Sequence, residues 1–325
     1  MAVAYMWVMV RVRLYTLGWI QNMSLNAKVS IPLGIAAAIG ASVIGSAWQI
    51  ASRHAVTTTL DPISLAFLRY CIPTLLLLPL VWKTGLLPKQ VSKTKLAILV
   101  AGGGLPFVLI GLTGARLAPV AHMGILLAAV MPVFTALLAW AFNRERIAAP
   151  RLVGFALIGL GVAVLGYRAL ATMSGATALG DVLFLLAAAL WAAYSIAFRA
   201  SGLSPWQGVA VVNVWSAILV VPIFLFVGGT NIVSAPLGDV LIQTLMQGVV
   251  AGILGLAIYS IAIKHLGPAP AAAFAALVPV LSALGGAVFL GEPVTLYTAI
   301  AAGLAAIGVV LASGLIKFGN RGAAR

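Results

Sequence analysis

Apolar residues gather in ten runs of about 20 residues, parted by short segments that hold most of the Lys and Arg residues. As a helix, a run of that length crosses the roughly 30 Å hydrocarbon core of a bilayer. The pattern predicts spans at 33–52, 62–82, 96–115, 119–141, 150–167, 179–198, 207–228, 240–263, 268–290 and 295–315. Gly and Ala are frequent inside these runs, which lets helices approach closely where no water drives them together. The ten-residue alternation of a membrane barrel strand is missing, so helices are the spanning structure that the pattern predicts. With 63% of the residues hydrophobic and 7% charged, the chain cannot hide its apolar surface as a water-soluble domain.

Beneath the hydropathy lies a repeat. The fourth run holds PVFTALLAWAFNRE from Pro132 to Glu145, and the ninth holds PVLSALGGAVFLGE from Pro279 to Glu292. Glu145 and Glu292 are the only glutamates in the chain, and each follows its proline by thirteen residues. The offset of 147 continues through Leu157 and Leu304, Gly161 and Gly308, and Val162 and Val309. At slightly different offsets, Pro119 pairs with Pro268, Pro62 and Pro79 with Pro205 and Pro222, and Arg53 with Arg199. The chain therefore divides into residues 31–168, a linker at 169–177, residues 178–315 and a tail at 316–325. An odd number of helices per half makes the second half enter the membrane from the opposite side. The expected fold class is all-α integral membrane, with ten transmembrane helices as two inverted five-helix repeats.

The net charge of +14 sits in short loops and not on a soluble domain, so it argues for topology and against a nucleic-acid partner. With a cytoplasmic N-terminus, fifteen of the 19 Lys and Arg residues face inward, leaving Arg53, Arg69, Arg116 and Arg168 outside. That bias puts both termini in the cytoplasm. Residues 1–30 carry Arg11 and Arg13 within an apolar start. They read as an interfacial amphipathic segment or as a stretch preceding a true start at Met23. Cys71 stands alone, without a disulfide or metal partner.

The block from proline to glutamate at the end of the fourth and ninth helices, together with FLRY at Phe67 to Tyr70, resembles the EamA domain of the drug/metabolite transporter superfamily. The resemblance covers nearly all of 31–315. It implies ten helices, a substrate cavity between the halves, and export of amino acids or related metabolites from an integral, multi-pass position in the plasma (inner) membrane. One departure stands out: the second half has no arginine matching Arg69, its counterpart being Val212 beside Asn213.

Candidate residues can be weighed one by one. Pro132 and Pro279 free the carbonyls of Ala128 and Ala275 from helical bonding. They read as hinges or substrate acceptors, or as static kinks filled by Thr135 and Ser282. Glu145 and Glu292 end their helices, where a carboxylate opposes the helix dipole. They read as structural caps or latches facing the next helix start or a cation. Arg69 either snorkels outward or holds a substrate carboxylate. Asp181 reads as a cap at the start of the sixth helix, ahead of a role in transport. Histidine as a residue type suits a coupling proton, which makes His122 a candidate, although a lone histidine is more often a packing residue.

Aromatic and amide groups deep in the runs complete the expected substrate cavity: Ser46, Trp48, Gln49, Arg69, His122, Trp191, Tyr194, Asn213, Trp215, Gln243, Gln247 and Tyr259. Each could equally join helix to helix. Trp48 and Tyr194 are equivalent positions of the repeat, whereas Trp82, Trp140, Trp206 and Tyr167 fall near span ends as interfacial residues. No HExxH, GxSxG or Walker loop occurs, and Gly102 to Gly104 reads as close helix packing. The expectation is a secondary transporter without metal or cofactor, working on a small-molecule substrate in a lipid bilayer, with export favoured over uptake or equilibrative passage. A membrane scaffold or lipid-modifying enzyme is the reading from another class.

Overall fold

A computed structural model describes residues 29–143, 149–172, 175–227 and 231–312, and every regular element among them is helical. In chain order these are α1 (Ile31–Thr58), α2 (Pro62–Thr84), α3 (Lys93–Leu117), α4 (Val120–Ala141) and α5 (Ala149–Thr172). They continue as α6 (Gly175–Ser201), α7 (Pro205–Val227), α8 (Leu237–Leu266), α9 (Pro270–Leu290) and α10 (Leu296–Ala312). Eight are long and apolar enough to cross a membrane, while α5 and α10 have shorter apolar stretches, Arg151–Leu165 and Leu296–Ala312. Expectations for residues 1–28, for Glu145 and for 316–325 lie outside the described residues.

Helix starts follow local chemistry. Ser30 caps α1 ahead of Pro32, and Asp61 caps α2 through the amides of Ile63 and Ser64, each at 2.9 Å, with Pro62 at the first position. Asp61 also accepts from the Asn231 amide at 2.9 Å, tying the α1–α2 turn to the α7–α8 loop. Burial alone would raise the Asp61 pKa, but these bonds and the Ser64 hydroxyl outweigh it and hold the carboxyl below its usual range. The expected linker at 169–177 is mostly helix, because helix formers such as Ala169, Leu170 and Ala171 carry α5 on to Thr172 and α6 begins at Gly175.

The packing of the helices reveals the duplication. Equivalent helices meet directly, α5 on α10, α2 on α7 and α4 on α9. The rest exchange: α1 packs on α8 and α9, whereas its equivalent α6 packs on α3 and α4. Direction is legible in the end contacts. The start of α1 meets the end of α8, where the Ser30 amide donates to His265 Nδ1 at 3.0 Å. The end of α6 reaches that same place, where Arg199 donates to the Lys264 carbonyl at 2.9 Å. So α6 runs opposite to α1, as an inverted repeat requires.

Several helices depart from regular hydrogen bonding. In α3 the chain breaks at Gly104 before Pro106, and Ser216 of α7 accepts from the freed Leu105 amide at 3.1 Å. Wider π turns occupy Met123–Ala129 of α4 and Thr244–Gly255 of α8, and a tight 3-10 turn occupies Phe274–Ala276 of α9. The irregular turns of α4 and α9 both fall just before the repeated prolines Pro132 and Pro279.

Close backbone approach is sharpest between α5 and α10. A Cβ on Gly154 would lie 2.5 Å from the Gly308 carbonyl oxygen, and one on Gly308 would lie 2.7 Å from that of Gly154. Gly159 and Gly303 on the same two helices have open space around them. Gly154→Ala and Gly308→Ala should therefore destabilise the protein by about 1–3 kcal/mol through overpacking. Gly159→Ala and Gly303→Ala should be neutral or stabilising by up to about 1 kcal/mol through helix propensity. Thermal unfolding in detergent reads the difference, and equal effects at all four positions would refute the tight contact.

Candidate functional site

A cavity of about 100 Å³ lies between the halves, bordered by residues of α1, α2, α3, α4, α6, α8 and α9. Its walls are mostly aromatic and apolar. Trp48, Phe107 and Trp191 follow one another with ring centroids 6.0 and 4.7 Å apart, and Tyr259 stands 5.3 Å from Trp191. This wall runs from the first half into the second through α1, α3, α6 and α8. Ala128 and Ala275, each four residues before a repeated proline, also border it. Thr135 and Ser282 do not donate to their carbonyls: Thr135 donates to the Met131 carbonyl and Ser282 to Gln49 Oε1. On α9, Ser42 of α1 donates at 2.8 Å to the adjacent Phe274 carbonyl.

Behind the wall, amides hold the helices in register. Trp48 Nε1 donates to Gln247 Oε1 at 2.8 Å, and Gln247 Nε2 donates to Ser52 at 2.9 Å and to Gln243 at 3.1 Å. Gln243 donates in turn to the Ala51 carbonyl. The indole N–H of Trp48 is thus committed to α8, and its ring is left as an apolar face. Tyr194 bonds Ser260 and Tyr259 bonds Ser195, joining α6 to α8. Asn213 donates to the Val209 and Gly252 carbonyls.

The structure therefore sorts the twelve sequence candidates. Trp48, Gln49, Arg69, Trp191 and Tyr259 border the cavity. Ser46, Tyr194, Asn213, Gln243 and Gln247 are buried in contacts between or within helices. Trp215 turns away, its Nε1 donating to the Leu86 carbonyl in the loop after α2, and His122 lies outside the lining, paired with Asp181. Phe107, Leu127 and Met131 are lining residues that the sequence reading missed, since an apolar side chain facing a cavity looks like one facing lipid.

Arg69 does not snorkel outward. It is 5% exposed, and its Nε and Nη1 are buried with no hydrogen-bond partner among the described residues. Its guanidinium carbon lies over the Trp48 ring, 5.1 Å from the centroid. An arginine inside a spanning helix costs on the order of 3 kcal/mol or more, so this placement is expensive unless something answers the charge.

Two pairs of titratable side chains lie outside the lining. At the end of α1, Arg53 Nε donates to Glu292 Oε1 at 2.8 Å, and the same guanidinium donates to the Ala115 carbonyl at 2.7 Å. The other carboxylate oxygen of Glu292 accepts from the Val120 amide at 2.9 Å, capping α4. Glu292 thereby faces a cation and a helix start, although that helix is α4 of the other half and not the next one, α10. Elsewhere, His122 Nδ1 lies 2.9 Å from Asp181 Oδ1. Asp181 is not a cap, because α6 begins at Gly175 and the carboxylate sits beyond its first turn. Among the described residues no group of His, Cys, Asp and Glu gathers to hold a metal ion.

The two halves are thus related by exchange and run antiparallel, with an aromatic cavity at their seam. The model of the EamA-like transporter family matches residues 32–167 and again 178–314. The chain belongs to this family, part of the drug/metabolite transporter superfamily, and is a multi-pass membrane protein. The comparison with curated proteins gave no match. Among solved structures, one described as a crystal structure of a protein is 21% identical, covers 84% of this chain and 94% of its own, and has a TM-score of 0.57. That similarity speaks for the fold alone.

The pair of Arg53 and Glu292 makes a prediction. Both side chains are largely shielded, so Arg53→Gln and Glu292→Gln should each lower stability by about 1–3 kcal/mol, the scale of a charged hydrogen bond. The double variant should cost little more than either single one in unfolding experiments. Strict additivity would show that the two residues act separately.

Proposed function

We propose that the chain is a secondary transporter working by alternating access, with ten spanning helices as two inverted five-helix repeats. Both termini face the cytoplasm of a plasma (inner) membrane protein that exports amino acids or related small metabolites. One observation carries this reading: the cavity is walled by helices of both halves, at the seam where exchange of their conformations would turn access from one side to the other. At about 10–15 Å³ for each water-sized sphere, its volume holds on the order of eight such groups, which suits a metabolite better than a large drug. The positive-inside charge supports the orientation. Pro132 and Pro279 serve as the hinges, each beside an irregular turn that borders the cavity or lies next to it.

Flux into proteoliposomes, with a panel of labelled amino acids, nucleosides and organic cations, tests the reading. Trp48→Ala and Trp191→Ala should lower flux at least about tenfold, whereas Trp140→Ala, exposed on the outer face of α4, should leave it nearly unchanged. Absence of flux for every class in folded protein would reject transport, and equal effects of the three variants would remove the cavity from it.

A proton is the coupling ion in this proposal. The paired His122 and Asp181 join α4 to α6 across the two halves, and a proton bound there would bias how these helices pack. Asp181→Asn and His122→Gln should each abolish the stimulation of flux by a pH gradient while leaving exchange without a gradient intact. Full stimulation in both variants would assign coupling elsewhere.

A further inference from the structure

Among the described residues, Arg69 is a buried cation without an answering anion. Among the described acidic side chains, Glu292 is engaged by Arg53 and the Val120 amide, Asp181 by His122, and Asp61 by Ser64 and the amides at the start of α2, while Asp239 stands in the first turn of α8. None of these bonds reaches Arg69, whose Nε and Nη1 have no partner from protein. Arginine cannot relieve this by losing its proton, as lysine can when buried. The side chain borders the cavity, and the Trp48 face beneath it supplies attraction but no hydrogen-bond acceptor.

We infer that Arg69 is the anchoring residue for a carboxylate on the transported solute, whose apolar part lies against Trp48, Phe107 and Trp191. The inference deepens the transporter reading above and rests on it. A planar carboxylate matches the guanidinium and can bridge two of its N–H groups. One cation neutralises one negative charge, so a singly charged acid fits this apolar chamber better than a phosphate carrying about −1.5 to −2. Permanent cations are disfavoured by the same residue. The repeat also singles out this position, since its equivalent in the second half is Val212 and the charge is present once.

Binding of an isosteric series to the purified protein tests the assignment: 3-phenylpropionate, 3-phenylpropan-1-ol and 3-phenylpropylamine, followed near neutral pH by calorimetry. The acid should bind at least about tenfold more tightly than the alcohol or the amine. In Arg69→Gln that advantage should vanish while alcohol binding changes little, and Arg69→Lys should retain part of it. Inorganic phosphate should fail to displace the acid. An acid that binds no better than its alcohol in the unaltered protein would overturn the inference, a comparison that needs no variant to fold. So would an unchanged acid preference in folded Arg69→Gln, or displacement by phosphate. Flux of a neutral or cationic solute without any acid binding would remove Arg69 from the site and leave the carrier reading standing, which separates the two failures.

Discussion

Lipid offers no hydrogen bonds, and most of this chain's internal arrangement follows from that single constraint. Polar side chains inside apolar helices must find one another, and here they do so chiefly at the seam. Ser52 and Trp48 on α1 meet Gln247 on α8, Gln49 on α1 meets Ser282 on α9, and Ser216 on α7 repairs the broken start within α3. Each bond joins two helices from different halves. Much of the polar inventory is therefore spent on holding the two repeats together, while Tyr194, Tyr259 and Asn213 brace the second half internally, and apolar and aromatic residues are left to shape the chamber. Against that background an arginine with idle donors stands out among the described residues, beside the unpartnered hydroxyls of Tyr70 and Thr74 on the same helix.

Duplication solved the same local problem twice. At the end of α1, Arg53 satisfies carbonyls that close α3, and at the end of α6, Arg199 satisfies the carbonyls of Ile263 and Lys264 that close α8. Helix C-termini leave such carbonyls unfilled, and a cation there also meets the favourable end of the dipole. Trp48 and Tyr194 likewise occupy equivalent places, and both donate or share a hydrogen bond with α8. The scaffold keeps its symmetry while the chamber loses it: Arg69 has no twin, and only the first half contributes a charge to the lining.

Most of the architecture was legible because a bilayer writes its thickness into sequence as long apolar runs, and because two isolated glutamates exposed the repeat. The site was legible in part. Trp48, Gln49, Arg69, Trp191 and Tyr259 could be picked out since aromatic or polar groups within a span need a reason to be there. The side chains that complete the walls could not, because Phe107 or Met131 carries no mark that tells chamber from lipid. Contacts between distant segments were also hidden. The pairing of His122 with Asp181 depends on the fold, and Asp181 resembled a cap only because its helix was expected to start four residues later than it does. The π turns in α4 and α8 have no sequence signature of their own, being packing solutions imposed by neighbours.

The interleaving of the halves has a consequence for biogenesis. Because α1 packs on α8 and α9, and α6 on α3 and α4, neither repeat is a folding unit, even though each is a unit of descent. During translation the first helix inserts long before its partners exist, with Gln49, Ser52 and Trp48 lacking the acceptors and donors that α8 and α9 later supply. Those early helices must wait in the membrane, held by lipid, translocon or provisional contacts, until nearly the whole chain has been made. A duplicated gene has in this way produced one indivisible body, whose final structure can close only when its last helices arrive.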